Sequence, residues 1–255
     1  MSLEGPGLPA LSPYEGPGPL STPERNLPQL EPILFCWSGG KDSALALRTL
    51  LQQNDVRIAA LLTTVTEGYD RISMHGVRRE LLRRQAESLR LPLHEVFIPP
   101  KCGNPLYEAR MEEALLFYFG HGIRRVAFGD IFLEDLRLYR EKNLARVAMQ
   151  ALFPIWKHDT SELVREFHAA RFRAVAVCID SKVLAPSFAG RELDASFFAD
   201  LPPGIDPCGE NGEFHTFVYD GPIFTRPIGF TLGEVVQRDS FIFRDLLPGK
   251  SPEEV

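Results

Sequence analysis

The stretch Ile33-Leu34-Phe35-Cys36-Trp37-Ser38-Gly39-Gly40-Lys41-Asp42-Ser43, followed by the apolar run Ala44 to Leu51, reads as a buried strand, a glycine turn and a helix. This layout is a phosphate cradle. Two consecutive glycines let the backbone take turn conformations closed to residues with a Cβ and let it approach an anion closely. The free N–H groups and partial positive charge at the start of the helix favour that anion, and the Ser38 and Ser43 hydroxyls and the Lys41 ammonium add donors. A Walker A loop is excluded, because it needs four residues between its glycine and Gly-Lys-Ser/Thr, whereas here Asp42 separates Lys41 from Ser43. An ordinary strand-to-helix turn is the weaker reading, since the apolar strand and apolar helix both sit where a cradle requires them.

Outward from the cradle, strand and helix patterns alternate as far as about Asp180. A helix is predicted to about Gln53, a strand over Val56 to Val65, a helix over Val77 to Leu91 and a strand over His94 to Ile98. A helix ending near Gly120-His121-Gly122, a strand from Arg125 to Ile131 and a helix from Leu136 to Ala151 follow. Asp159-Thr160-Ser161-Glu162 starts a further helix to Ala170, with Ala174 to Ile179 a strand. Such alternation predicts an α/β fold whose parallel sheet is covered on both faces, with a smaller α+β carboxyl-terminal domain. Active sites in such sheets lie outside the carboxyl ends of the strands. Three segments occupy that edge: the cradle, Thr63-Thr64-Val65-Thr66 and Gly129-Asp130. The domain change is placed near Pro154, giving a tail over 1–30, a nucleotide domain over 31–153 and an acceptor domain over 154–248.

Composition limits the possibilities. At 255 residues with 44% apolar content, the chain is long enough for one large α/β domain or a nucleotide domain with a smaller partner. No segment approaches the roughly 18 consecutive apolar residues of a membrane span, so no membrane partner is expected. The first thirty residues carry seven prolines and four glycines without apolar periodicity or a signal-peptide pattern, which predicts a disordered tail and a cytoplasmic protein. Cys36, Cys102, Cys178 and Cys208 are scattered without a C-x-x-C pair, so neither disulfides nor a zinc site is expected. The net charge of −6 argues against a nucleic-acid partner, and a homodimer is compatible with the sequence.

A second dense motif is Asp206-Pro207-Cys208-Gly209-Glu210-Asn211-Gly212-Glu213-Phe214-His215-Thr216. In an extended segment Glu213 and His215 project to one face. Carboxylates there hold an ammonium or take a proton from ammonia, and a histidine shuttles protons near neutral pH. The residue types alone serve equally well as a solvated hairpin. Arg137 and Glu141, spaced i, i+4, make either a helix surface pair or, by their place after Gly129-Asp130, a substrate contact. His75, in a loop long enough to close over a nucleotide, reads as a phosphate contact or a solvated loop histidine.

The Ser-Gly-Gly-x-Asp-Ser loop resembles that of the PP-loop ATP pyrophosphatases, in which it holds the pyrophosphate of ATP while chemistry occurs at the α-phosphorus. The cradle, Gly129-Asp130-Ile131 with Arg137 and Glu141, and Cys208-Gly209-Glu210-x-Gly-Glu213 with Asp220-Gly221-Pro222-Ile223-Phe224 together look like the diphthine ammonia ligase family and its bacterial relatives of unassigned substrate. The similarity extends over nearly everything after residue 32. It implies a PP-loop, Rossmann-like domain that splits ATP into AMP and pyrophosphate, adenylylating a carboxylate on a small molecule or a modified protein side chain, which ammonia then converts to an amide. By the same resemblance Ser38, Gly39, Gly40, Lys41, Asp42, Ser43, Gly129 and Asp130 bind ATP and Asp42 faces Mg2+, while Thr64 joins the ATP site by its place on the carboxyl edge of the sheet. Arg137, Glu141, Glu210, Asn211, Glu213, His215 and Thr216 meet the acceptor, while Lys41, Asp42, Glu213 and His215 carry the chemistry.

One departure stands out. Diphthamide enzymes tend to read Gly-Glu-Gly-Gly-Glu, an aromatic or aliphatic residue, then Glu-Thr, whereas this chain has Asn211 and His215 at two of those places. Exchange of a carboxylate for an imidazole changes the charge of the acceptor pocket. The alternatives are a PP-loop enzyme acting on a different small-molecule acceptor, or a nucleotide-binding sensor without turnover. A tRNA-thiolating or lysidine-forming enzyme would share the cradle but should show a basic footprint, and a thiolase a cysteine pair.

Overall fold

The computed structural model describes residues 30–250 apart from Met74, so the expected tail lies outside the described residues except for Leu30. The first half of the chain alternates β1 (Glu31–Cys36), α1 (Lys41–Gln53), β2 (Val56–Thr66), β3 (Arg71–Ile72), α2 (Arg79–Leu89), β4 (Leu93–Ile98), α3 (Asn104–Gly120), β5 (Arg125–Ala127), α4 (Glu134–Arg146) and β6 (Gln150–Leu152). Within β1, Ile33 and Phe35 enter one apolar core and Leu34 enters the other, and all three are fully buried. Side chains alternate across a strand, so this double burial means that both faces are covered.

β1 lies between β2 and β5, parallel to both; β4 continues beyond β2 and β6 beyond β5, also parallel, while β3 adds antiparallel to the end of β2. From β1 the chain first builds outward through β2 and β4, then returns to build the other side through β5 and β6. Connections leave β1 and β5 in opposite directions, and the crevice between their carboxyl ends is where open α/β sheets bind ligands. The fold is thus α/β with a Rossmann-like core.

The second half forms α5 (Thr160–Ala169), β7 (Arg173–Asp180), a 3-10 turn (Pro186–Phe188), α6 (Ala195–Ala199), β8 (Phe214–Asp220), β9 (Phe230–Arg238) and β10 (Phe241–Pro248). The four strands make an antiparallel sheet in the order β8-β7-β10-β9. Asp159 caps α5, its carboxylate accepting the Glu162 N–H at 2.9 Å, as the sequence pattern predicts. The larger core runs without a break from Phe35, Trp37 and Leu47 to Val177, Phe217 and Ile242, so both sheets bury their facing sides together.

Three element expectations need correction. The helix predicted to Ala151 ends at Arg146, because Ala148 takes a left-handed φ of 54° and the Met149 N–H turns back to the Leu144 carbonyl at 3.0 Å. That reversal frees Gln150–Leu152 to pair with β5. The strand predicted to Ile131 stops at Ala127, where the chain leaves the sheet for the site. The strand at Ala174 to Ile179 does not extend the parallel sheet but, as β7, pairs antiparallel with β8 and β10.

Candidate active site

The cradle turns where β1 ends. Gly39 has φ +81°, and a Cβ there would meet the Gln85 amide at 2.7 Å, so glycine is required twice over. Gly40 precedes α1 without any side-chain cap, and the Ser38 and Ser43 hydroxyls bind each other at 2.7 Å while Ser43 Oγ accepts the Ser38 N–H. The two serines thus tie the ends of the loop together. Gln85, fully buried on α2, locks it from behind: its amide donates to the Gly39 and Val218 carbonyls at 3.0 and 2.6 Å, and its oxygen accepts the Trp37 indole N–H at 3.0 Å.

The late motif joins the early one. The Thr216 hydroxyl accepts the Lys41 N–H at 3.0 Å, and the Val218 N–H donates to the Gly39 carbonyl at 2.9 Å. The Lys41 ammonium, nearly fully buried, contacts both Asp42 oxygens at 2.8 Å, donates to the Cys208 carbonyl and sits 5.4 Å from the Phe214 ring centre. Burial opposes its charge, but Asp42, with Cys208 and Glu210 adding to it, holds the ammonium pKa above its ordinary value. Behind β5, Gly129 comes so close to α1 that a Cβ would lie 2.9 Å from the Ser43 nitrogen. Asp130 then forms a two-pronged pair with Arg140 of α4, one hydrogen bond measuring 3.0 Å.

Together these elements wall a cavity of about 440 Å³ at the switch point between β1 and β5. Ser38, Gly40, Lys41, Asp42 and Ser43 line it from the cradle, Thr64 from β2 and Gly129 and Asp130 from the loop after β5. From the later motif it receives Glu210, His215 and Thr216. The two motifs that the sequence suggested for separate tasks thus face one space.

Five expected site residues do not line the cavity; Gly39 sits behind it, its carbonyl accepting from the Gln85 amide and the Val218 N–H. Glu213 is buried, with one oxygen accepting the Asp206 N–H at 3.2 Å and the Asn211 amide at 3.0 Å, so both residues shape the 206–213 loop instead of lining the cavity. β8 starts only at Phe214, so the extended alternation that would put Glu213 beside His215 does not reach it. Arg137 and Glu141 bind each other at 2.7 Å, and Arg137 stacks on Phe153 and Trp156 outside the cavity. One helical step away, Leu136 and Arg140 line it.

The loop that Glu213 shapes presents Glu210. Its oxygen accepts the Ile131 N–H at 2.8 Å, and burial pushes its pKa up to about 7, with Asp42 and Asp130 acting in the same direction. Such a carboxyl exchanges protons near neutrality. Arg140, Gln85 and Tyr107 are site or supporting residues that sequence reasoning missed; Arg140 pairs with Asp130 only through the packing of α4 beside the loop after β5, which no spacing in the sequence signals.

The comparisons agree with this architecture in two blocks. Residues 33–150 match the diphthamide synthase N-terminal domain, and residues 159–240 match the diphthamide synthase C-terminal domain. The chain is 25% identical over 220 residues to the diphthine–ammonia ligase of Homo sapiens, covering 78% of this chain and 82% of that protein. It is 24% identical over 227 residues to the Bos taurus ligase, covering 81% and 85% respectively. A Schizosaccharomyces pombe protein of the same name matches over 226 residues at 24% identity, the similarity spanning 82% of this chain and 37% of that longer protein. With both domain models matched in order around a single cradle-centred cavity, the chain belongs to the diphthine ammonia ligase-like family of diphthamide synthase domains.

Proposed function

We propose that this protein is an ATP-dependent, amide-forming ligase of the diphthine ammonia ligase type. One observation carries the reading: Ser38, Gly40, Lys41, Asp42 and Ser43 of the cradle and Glu210, His215 and Thr216 of the later motif line the same cavity, so a nucleotide phosphate and an acceptor reach one another. In the first step an acceptor carboxylate oxygen attacks the α-phosphorus of ATP and the bond to pyrophosphate breaks. In the second, ammonia attacks the acyl carbon, AMP leaves with the former carboxylate oxygen, and the nitrogen loses a proton. Positioning and charge neutralisation are the protein's contribution to the first step. Lys41 and the α1 N-terminus supply positive charge beside the cradle. Glu210 is placed to take the proton in the second, because its carboxyl faces the cavity and ammonium itself is not a nucleophile.

Mg2+ belongs to this reading through Asp42. Magnesium takes one or two carboxylates along with phosphate oxygens and waters, and the Asp42 carboxylate stands in the cavity wall beside the cradle, so the residues fit. Bound there, the ion would neutralise charge on the phosphates. Ammonia is the nitrogen donor and a carboxylate, on a small molecule or a modified protein side chain, is the acceptor; diphthine is the named substrate of the relatives. We place ATP binding in residues 31–153 and acceptor binding chiefly in 154–248, with the protein in the cytoplasm.

The test is product analysis with ammonium and a panel of carboxylates, diphthine-bearing elongation factor included. Acceptor-dependent formation of AMP and pyrophosphate in equal amounts is expected. Release of ADP and phosphate, or nucleotide binding with no turnover on any acceptor, would overturn the assignment.

A further inference from the structure

His75 and His215 stand ring to ring in the cavity wall, their centroids 4.7 Å apart and their planes inclined by 44°. They come from distant parts of the chain. His215 is set by β8, where it faces Cys178 of β7. His75 lies between β3 and α2 in a loop that β10 clamps. Arg71 donates to the Gly76 carbonyl at 2.7 Å and to Asp245 at 2.8 Å, and Arg78 holds both Asp245 oxygens at 3.1 and 2.7 Å. Gly76, with φ +69°, lies against Phe243 so closely that a Cβ would come within 2.9 Å of the ring. The loop therefore presents the His75 ring in a set position.

That position is at the rim of the cradle. Thr216, the residue after His215, binds the Lys41 N–H, and a Cβ on Gly40 would be 3.2 Å from its carbonyl and hydroxyl oxygens. A second observation points to a ligand: His75 Nδ1 is buried and has no hydrogen-bond partner among the described residues. Buried polar atoms are nearly always satisfied, so an orphan on a residue that lines the cavity marks a ring with a hydrogen bond still to make.

We propose that His75 and His215 form the outer wall of the phosphate cradle, hydrogen-bonding the pyrophosphate portion of bound nucleotide and taking up a proton from solvent as it enters. This rests on the ATP reading above and extends it to two residues and a linked proton. With only protein groups around them, burial chiefly keeps both imidazoles neutral. His75 is pushed down to about 3, with His215 and Lys41 acting the same way and the Thr216 backbone against them. His215 is pushed down to about 4, by burial and then Lys41. The carboxylates that also line the cavity are engaged elsewhere: Asp42 with Lys41, Asp130 with Arg140 and Glu210 with the Ile131 N–H. On the outer side of the loop, Asp245 is neutralised by Arg71 and Arg78. A polyphosphate supplies the missing negative charge, and an opposite charge within about 4–6 Å favours the charged imidazole by about 1–3 pKa units. The two rings share one proton, since a second would be repelled.

The test is calorimetric titration of the full chain with Mg2+ and a non-hydrolysable α,β-methylene ATP analogue at pH 6, in two buffers of different ionisation enthalpy. Inorganic pyrophosphate and AMP serve as further probes. The wild type should take up on the order of half a proton more per nucleotide than His75→Gln or His215→Asn. Each variant should bind the analogue and pyrophosphate about tenfold more weakly. AMP, which lacks the pyrophosphate portion, should bind all three proteins alike. Equal proton counts and affinities in wild type and variants would overturn the histidine assignment while the ATP reading stands, as would an equal loss of AMP affinity. Failure of the wild-type chain to bind either the analogue or pyrophosphate would overturn both.

Discussion

Asp42 differs from the other residues of the cradle in chemistry as well as position. The serines and glycines offer donors to phosphate, whereas Asp42 offers carboxylate oxygens, which Lys41 keeps in a defined place at 2.8 Å. Asp42→Ala should therefore lower Mg2+-dependent pyrophosphate release at least about 100-fold, and Ser43→Ala about tenfold, with circular dichroism unchanged. Wild-type turnover in Asp42→Ala would refute the loop assignment. Glu210 allows a test by pH. Its folded pKa of about 7 lies above the ordinary 4.5, so between those values the folded chain holds a proton that the unfolded chain has lost. Stability therefore falls as pH rises through this window. Glu210→Gln, which mimics the protonated form, should gain on the order of 2–3 kcal/mol relative to wild type between pH 4 and pH 8, measured by denaturant melts. A constant difference across that range would show that burial does not perturb this carboxyl.

At the scale of elements, β10 acts on a loop nearly 170 residues earlier through Asp245. The two arginines overcome the cost of burial and bring the Asp245 pKa down to about 2. A depressed carboxylate stabilises the fold above its unfolded pKa near 3.8 and ceases to do so as pH falls toward 2. Asp245→Asn should cost roughly 2 kcal/mol at neutral pH and progressively less below pH 4, and should speed amide exchange at Arg71 and Gly76. Unchanged exchange in that loop would mean that the Phe243 contact alone holds it. Gln85 joins elements in the same way. Replacing it with leucine leaves the buried Trp37 indole N–H without its acceptor and takes a donor from the Gly39 and Val218 carbonyls, so Gln85→Leu should destabilise by about 2–4 kcal/mol and weaken nucleotide affinity together.

For the whole molecule, the continuous core from Phe35 to Ile242 implies that neither sheet keeps its buried face if the other unfolds. Thermal unfolding of the chain should be a single transition with equal calorimetric and van't Hoff enthalpies, and a fragment of residues 154–248 should not fold alone. Two resolved transitions would show independent units. Deletion of residues 1 to 28, which lie outside the described residues, is expected from their proline and glycine content to leave both melting temperature and nucleotide affinity nearly unchanged; a melting temperature lowered by many degrees would refute that expectation.

Local pattern carried much of this protein. The strand-glycine-helix stretch from Ile33 to Leu51 specified the cradle by itself, because glycine φ freedom, an apolar strand and an apolar helix are all short-range properties. The alternation beyond it specified a parallel sheet, and with it the edge on which Thr64, Gly129 and Asp130 stand. Pairings at long range were decided only by the fold. No spacing in the chain announces that Thr216 meets Lys41, that Arg140 and not Arg137 turns to Asp130, or that Asp245 holds the loop of His75. Nor could periodicity assign β7 to a second sheet, since a buried strand reads alike in either one. These contacts depend on how two cores bury each other's surface, and that burial is a property of the assembled chain and of no single segment.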